Sequence, residues 1–233
     1  RADVGIAMGR KGSEAAKEAA DFVLADDNFA SIAAAVREGR TVYDNIKKVI
    51  SWTLPTSTGE AFTVIVALLL GMTLPVSPIQ ILWVNLITAA SLGMALAFEP
   101  TEENTMLRPP RPKNQPLLGG ELIWHIAFVS LLFVLGIFGI FNYALERTLA
   151  VNTLVVMEIF HLFFIRNIYG ASLTLKALKG TRVVWLTVVF VTAAQFAISY
   201  IPAMQYIFET ESVPLVDGML TVAIGVLLFA IIE

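Results

Sequence analysis

From residue 49 onward the sequence is a succession of apolar segments, each close to the length of a bilayer crossing. Six fall at about 49–71, 79–98, 122–145, 151–170, 183–203 and 214–232. A transmembrane helix needs roughly 20 predominantly apolar residues. Hydrocarbon offers no water to backbone N–H and C=O groups, so each segment must satisfy its own as a helix. The fold class expected is therefore mainly α, a polytopic membrane bundle of six transmembrane helices. Composition agrees: the chain is 57% hydrophobic and 15% charged, against about 45–50% and 25% in soluble proteins. A net charge of -3 excludes a basic nucleic-acid footprint, so no nucleic acid is expected as a partner. Without cysteine there is no disulfide and no thiolate metal site, a composition compatible with a reducing compartment.

The first 48 residues are polar and charged, with no apolar signal core. Residues 1–27 read as soluble α/β. Val4-Gly5-Ile6-Ala7-Met8 is a buried-strand pattern, and Gly9 and Gly12 bracket a turn. Ser13 can cap a helix through Ala20, and Phe22-Val23-Leu24 reads as a second strand. About 27 residues cannot enclose a core. With a start at Arg1 inside an apparent strand, they are expected to be the edge of a domain, and the chain the carboxyl-terminal piece of a longer protein. Asp27 or Asn28 can cap the next helix. Ile32, Val36, Tyr43, Ile46 and Ile50 fall near one face of it, and no breaker precedes Pro55. Residues 28–48 are thus expected to be a stalk that runs directly into the first span of a membrane domain at 49–233.

Basic residues set the orientation. Arg37, Arg40, Lys47 and Lys48 precede the first span, Arg108, Arg111 and Lys113 follow the second, and Arg166, Lys176, Lys179 and Arg182 surround the end of the fourth. The opposite loops carry Arg147, with Glu209 and Glu211 in the last of them. The positive-inside rule then places both termini in the cytosol. Trp124 and Trp185 lie near the start of their spans, as interfacial anchors do.

Within the spans a few residues violate the apolar pattern. Glu60 lies in the first, where a charge near the bilayer centre costs roughly 2.5–3.5 kcal/mol. Pro55 removes a backbone donor and Gly59 weakens the helix, so an unwound stretch with free carbonyls is expected just before Glu60. Thr56 shares a face with Glu60 one turn away. Hydroxyl, carbonyl and carboxylate oxygens together suit a hard cation; the competing reading is a protonated Glu60 bonded to a neighbouring helix. In the second span, Asn85 and Thr88 face the same way and could complete such a site or bond between helices. Glu158 is a second intramembrane carboxylate, with His161 one turn on, either an ion pair joining helices or part of a functional site. A proton-exchanging His161 is a further reading. One His and one Glu are too few ligands for a transition metal. His125 reads as interfacial, and Asn142, Gln195 and Asp217 as isolated packing or interface residues.

The run Ala2-Asp3-Val4-Gly5-Ile6-Ala7-Met8-Gly9, then Gly12-Ser13-Glu14-Ala15-Ala16-Lys17-Glu18-Ala19-Ala20-Asp21-Phe22-Val23-Leu24, strongly resembles the end of the phosphorylation domain of P-type (E1-E2) cation-transporting ATPases. Leu54-Pro55-Thr56-x-x-Gly59-Glu60 resembles the family's fifth transmembrane helix, and Pro78-Ile79-Gln80-Ile81-Leu82-Trp83-Val84-Asn85-Leu86-Ile87-Thr88 its sixth. The Arg108-Pro109-Pro110-Arg111 loop and the later spans are similar to its carboxyl-terminal helices, so the resemblance covers essentially the whole chain.

The resemblance implies the carboxyl-terminal part of a bacterial-type calcium or general cation pump. Residues 1–27 would be the α/β remnant of a HAD-like phosphorylation domain, in an integral protein of the plasma membrane. It implies an enzyme whose parent couples ATP hydrolysis, through a phosphoaspartate and Mg2+, to cation transport. The chain itself carries no catalytic or cofactor-binding residue, lacks the phosphorylated Asp and is expected to be inactive alone. Its partners would be the bilayer, the cation and the parent's nucleotide-binding, phosphorylation and actuator domains. Glu60 corresponds to a cation-binding Glu of calcium pumps, Asn85 and Thr88 to coordinating residues of the sixth helix, and Glu158 to the eighth-helix Glu of the second calcium site. Thr56 lines the same region, and Ser57 stands where calcium pumps often have Asn. The chain departs from that pattern at Ala89, where calcium and sodium pumps carry Asp, and lacks the Pro that follows. Fewer carboxylates weaken divalent binding, so calcium leads and other cations stay open. An ion channel or secondary transporter would explain the carboxylates but not the soluble opening; a non-transporting scaffold is the third reading.

Overall fold

The computed structural model describes residues 3–112, 114, 116–166 and 181–233. The chain divides into two units, Arg1–Asp44 with Pro100–Pro110, and Asn45–Glu99 with Arg111–Glu233.

In the first unit, strand β1 (Ile6–Met8) and strand β2 (Phe22–Leu24) pair in parallel, with Ile6 opposite Phe22 and Met8 opposite Leu24. Helix α1 (Glu14–Ala19) makes the crossover. Ser13 caps it as its sequence position predicts, accepting at 3.2 Å from the amide of Ala16. Asp27, in the left-handed region at φ 54°, accepts from the amides of Arg10 and Lys11 at 2.8 and 3.0 Å and so ties down the loop before α1. Asn28 caps the next helix by accepting from Ala30 at 3.0 Å. At Asp26 the Ser31 hydroxyl donates to the carboxylate and holds its pKa below the ordinary value. That helix, α2 (Ala30–Leu69), runs without interruption for 40 residues. Residues 100–110 are held against its Arg40, Thr41 and Asp44 within this unit. Arg40 donates to the carbonyls of Thr105 and Arg108 at 2.8 Å each, and Arg108 is paired with the buried Asp44.

The second unit is helical. Among the described residues five helical stretches are long and apolar enough to cross a membrane: Pro78–Ala97, Gly120–Ala144, Arg147–Arg166, Arg182–Tyr200 and Leu215–Ile232. The first expected span, 49–71, is helical as the end of α2 but is not among these five. Its polar run from Pro55 to Glu60 dilutes the apolar pattern. Of the expected span 151–170, the structure gives a helix over Arg147–Arg166; residues 167–170, together with Arg1, Ala2, Lys113, Lys176 and Lys179, lie outside the described residues.

Two expectations are corrected. The stretch before Glu60 is not unwound, because α2 passes straight through Pro55 and Gly59. The irregularity lies in the second span, where α3 (Pro78–Val84) gives way to a π-helical segment over Asn85–Gly93 before α4 (Met94–Ala97). Each of three side chains there bonds a carbonyl four residues back: Asn85 to Ile81 at 3.1 Å, Thr88 to Val84 at 2.9 Å, and Ser91 to Ile87. Side chains that occupy those acceptors compete with the i→i−4 amides and favour the wider register. The fifth span also ends early, at Tyr200 rather than residue 203. Pro202 cannot donate to a continuing helix and forces Ile201 to an extended φ/ψ of −89° and 118°. A short helix follows at Pro202–Phe208, which the apolar pattern hid.

The remaining helices are α5 (Gly120–Ala144), α6 (Arg147–Arg166), α7 (Arg182–Tyr200), α8 (Pro202–Phe208) and α9 (Leu215–Ile232). The core centres on α6, whose Leu149, Leu154, Met157, Leu162 and Ile165 are fully buried between α5 and α9. Gly225 makes this approach possible: a Cβ there would come within 2.5 Å of the Phe160 ring. Within this unit Asn45 donates to the carbonyls of Ala97 and Glu99, capping the end of the second span, and Arg166 pairs with Glu99 at 2.7 Å.

Candidate cation-binding site

Three helices converge on one polar cluster. Glu60, on α2, is 6% exposed and accepts at 2.7 Å from the side-chain amide of Asn85 at the start of the π-helical segment. That amide also donates to Ile81, so its orientation is fixed. Thr88, one turn on, is buried and donates its hydroxyl to the carbonyl of Val84 at 2.9 Å, beside the buried Glu158 on α6. Glu158 in turn interacts electrostatically with Glu60. Its backbone carbonyl accepts at 3.0 Å from the indole of the fully buried Trp52, which locks α6 against α2 at this level.

The cluster is electrostatically incomplete. Neither Glu60 nor Glu158 has an ion pair among the described residues. Oε1 of Glu60 and Oε2 of Glu158 are buried and have no hydrogen-bond partner there. Two carboxylates in a low-dielectric interior repel each other and stay charged only with compensation. The donor set, two carboxylates with a neighbouring amide and hydroxyl, is hard oxygen chemistry. Among the described residues no group of three or more His, Cys, Asp or Glu side chains could hold a metal ion. Ala89 contributes no third carboxylate to the cluster.

Of the six residues singled out in the sequence, Glu60, Asn85, Thr88 and Glu158 are brought together. Thr56 is buried one turn before Glu60 but turns its hydroxyl onto the carbonyl of Thr53 at 2.9 Å. Ser57 is exposed and makes no hydrogen bond to the cluster. Two supporting residues on α5, Ser130 and Phe133, escaped sequence reasoning. Ser130 on α5 donates at 2.9 Å to the carbonyl of Pro55. Gly59 lies so close to α5 that a Cβ would sit 2.8 Å from that of Phe133, so it serves close packing rather than unwinding. His161 forms no ion pair with Glu158. Its Nε2 lies 3.1 Å from Nε2 of His125, which is therefore not a simple interfacial residue. Gln195 is not isolated either, since it donates at 2.6 Å to Asn152.

A fold of five membrane-length helices among the described residues, with buried carboxylates between them, defines a polytopic membrane protein. Residues 73–233 match the family model described as "Cation transporting ATPase, C-terminus", and the chain belongs to that family. It is similar to the "Probable cation-transporting ATPase F" of Mycobacterium tuberculosis, at 46% identity over 91% of the chain and 24% of the relative. It is also similar to "Cation-transporting ATPase pma1" of Synechocystis, at 38% over 90% of the chain and 25% of the relative. The "Calcium-transporting ATPase" of Bacillus subtilis is 34% identical over 97% of the chain and 26% of the relative. The chain thus spans about a quarter of the length of these relatives.

Proposed function

We propose that this chain is the carboxyl-terminal membrane part of an ATP-driven P-type cation pump, and that Glu60, Asn85, Thr88 and Glu158 hold the transported cation. Thr56 and Ser57 line the approach. The observation that supports this most is the pair of buried oxygens, Glu60 Oε1 and Glu158 Oε2, left without partners in one polar cluster. A divalent cation neutralises both carboxylates at once, and calcium, the cargo printed in the name of the Bacillus relative, leads.

On this reading the end of α2 also crosses the membrane, as the first of six crossings, both termini are cytosolic, and the membrane is a bacterial-type plasma membrane. Residues 1–27 are then the edge of a HAD-like phosphorylation domain, followed by the stalk at 28–48 and the membrane domain at 49–233. The rest of the parent supplies the phosphorylated Asp, the ATP and Mg2+ sites and the actuator domain. Glu60 and the stalk residues share one helix, so a shift of the stalk re-aims Glu60 against Asn85 and Glu158. Moving one carboxylate relative to the other changes cation affinity, the requirement of alternating access.

The test is ATP hydrolysis by the full-length protein against a panel of cations, repeated with Glu60→Gln and Glu158→Gln. The expected outcome is stimulation by one cation, its apparent affinity lowered at least about 100-fold in each variant, since outer-shell partners alone are worth about 10–100-fold. Stimulation unaltered in both variants would overturn the site. Transport that persists without ATP would favour a passive channel instead.

A further inference from the structure

The cation site leaves one buried titratable pair unused. His125 on α5 and His161 on α6 approach through their Nε2 atoms at 3.1 Å. Their rings lie 5.4 Å apart, and His125 stacks on Phe164 at 5.6 Å. His161 is fully buried and its Nδ1 has no hydrogen-bond partner among the described residues. His125, five residues into α5, is only partly covered. Phe133 meets the edge of His161 at 6.1 Å and packs against Gly59 on α2. The pair therefore bridges two helices and rests against the residue that sets the α2–α5 approach.

A neutral imidazole has one donor and one acceptor nitrogen. An Nε2···Nε2 bond therefore requires one ring protonated at that atom and the other bare. A proton added to the bare atom leaves two donors facing each other. A proton added to the far nitrogen of the donor ring puts a cation among aromatic rings, where at His161 no acceptor meets it. Other charged groups lie on the elements around the pair: Lys48 and Glu60 on α2, Glu99 after the second span, Glu121 on α5, Glu158 and Arg166 on α6, Arg182 on α7 and Asp217 on α9. Of the titratable side chains, His125 is the one in hydrogen-bond contact with His161 among the described residues.

We propose that His125 and His161 form a proton-sensitive latch between α5 and α6, closed at neutral pH and opened as acid protonates the pair. Its effect on turnover rests on the pump reading above; its effect on stability does not. Opening releases Phe133 from its contact with His161 and loosens the surface against which Gly59 packs.

The experiment uses the full-length protein with His125→Gln and His161→Gln, side chains that still hydrogen-bond but carry no charge at any pH. Two profiles are read between pH 7.5 and about 4: ATP-driven cation uptake in proteoliposomes, and the melting temperature in detergent. Unsubstituted protein should lose at least about threefold in uptake and melt lower at the acid end, below the range in which an exposed histidine titrates, because a buried pair resists the added charge. Both variants should keep uptake at pH 7.5 within about twofold and flatten both profiles. The partly covered His125 makes its variant the safer one to fold, and a flattened profile there suffices. Acid profiles identical to the unsubstituted protein in both variants would overturn the latch. Absence of ATP-driven uptake in the unsubstituted protein would instead refute the pump reading, and the melting profiles would then decide the latch by themselves.

Discussion

The two helices that furnish the site from the amino-terminal side of the membrane unit break the α-helical rules in opposite ways. The end of α2 carries a proline and a glycine within two turns of Glu60 and remains α-helical. The second span has neither residue between Asn85 and Ser91, yet it is π-helical from Asn85 to Gly93. The difference lies in how densely side chains turn back onto their own helix: α2 has one i→i−4 bond beside the site, Thr63 to the carbonyl of Gly59 at 2.8 Å, and the second span has them from Asn85, Thr88 and Ser91 in succession. In α2 the neighbouring helix supplies help, since Ser130 reaches the Pro55 carbonyl and Phe133 fills the space that Gly59 leaves. In the second span the helix's own Asn85, Thr88 and Ser91 occupy its carbonyls and widen it from within. The regular helix carries the carboxylate, and the widened one presents the amide and hydroxyl beside it.

The sharpest way to break this contrast is Gly59→Ala. A glycine that merely loosens a helix is destabilising by about 1 kcal/mol relative to alanine, so its replacement would raise the melting temperature. A glycine that admits Phe133 gives the opposite sign, a loss of about 1–3 kcal/mol from overpacking. Thermal unfolding of the full-length protein decides between them, and a lower melting temperature is expected. Thr88→Val should reduce apparent cation affinity about tenfold, or about 1.4 kcal/mol, because it removes a site oxygen together with a bond that supports the π segment. Ser91→Ala should cost about threefold, close to the 0.6 kcal/mol average of a hydrogen bond inside a membrane protein. Cation titrations of ATP hydrolysis measure both, and an unaltered Thr88→Val would separate the π segment from binding. The smallest effect is expected at Ser130→Ala, about 0.6 kcal/mol of stability with cation affinity retained, read by the same melt and titration.

Much of this organisation is written locally. Ser13 and Asn28 cap the helices their positions predict, and Pro78 with Ser77 and Gln80 opens the second span through a reciprocal capping box. Glu60 and Glu158 stand out equally in the sequence, because a charge in an apolar run is costly, and the structure buries both. What the sequence hid depends on neighbours distant along the chain. Nothing near His125 announces His161 as its partner 36 residues away, nor does anything near Pro55 announce Ser130, 75 residues on. The π segment lies between these cases. Its signal, polar side chains at positions 85, 88 and 91, is visible in the sequence, but it reads as a bonding face until each side chain is seen turned back onto its own helix.

The most direct measurement is the position of the cation in a structure of the full-length protein determined with calcium bound. The account predicts density between α2, the π segment and α6, within about 2.3–2.6 Å of Glu60 Oε1 and Glu158 Oε2, the distances calcium keeps to oxygen. Calcium resting elsewhere in the bundle, with those two oxygens still unpaired, would contradict it.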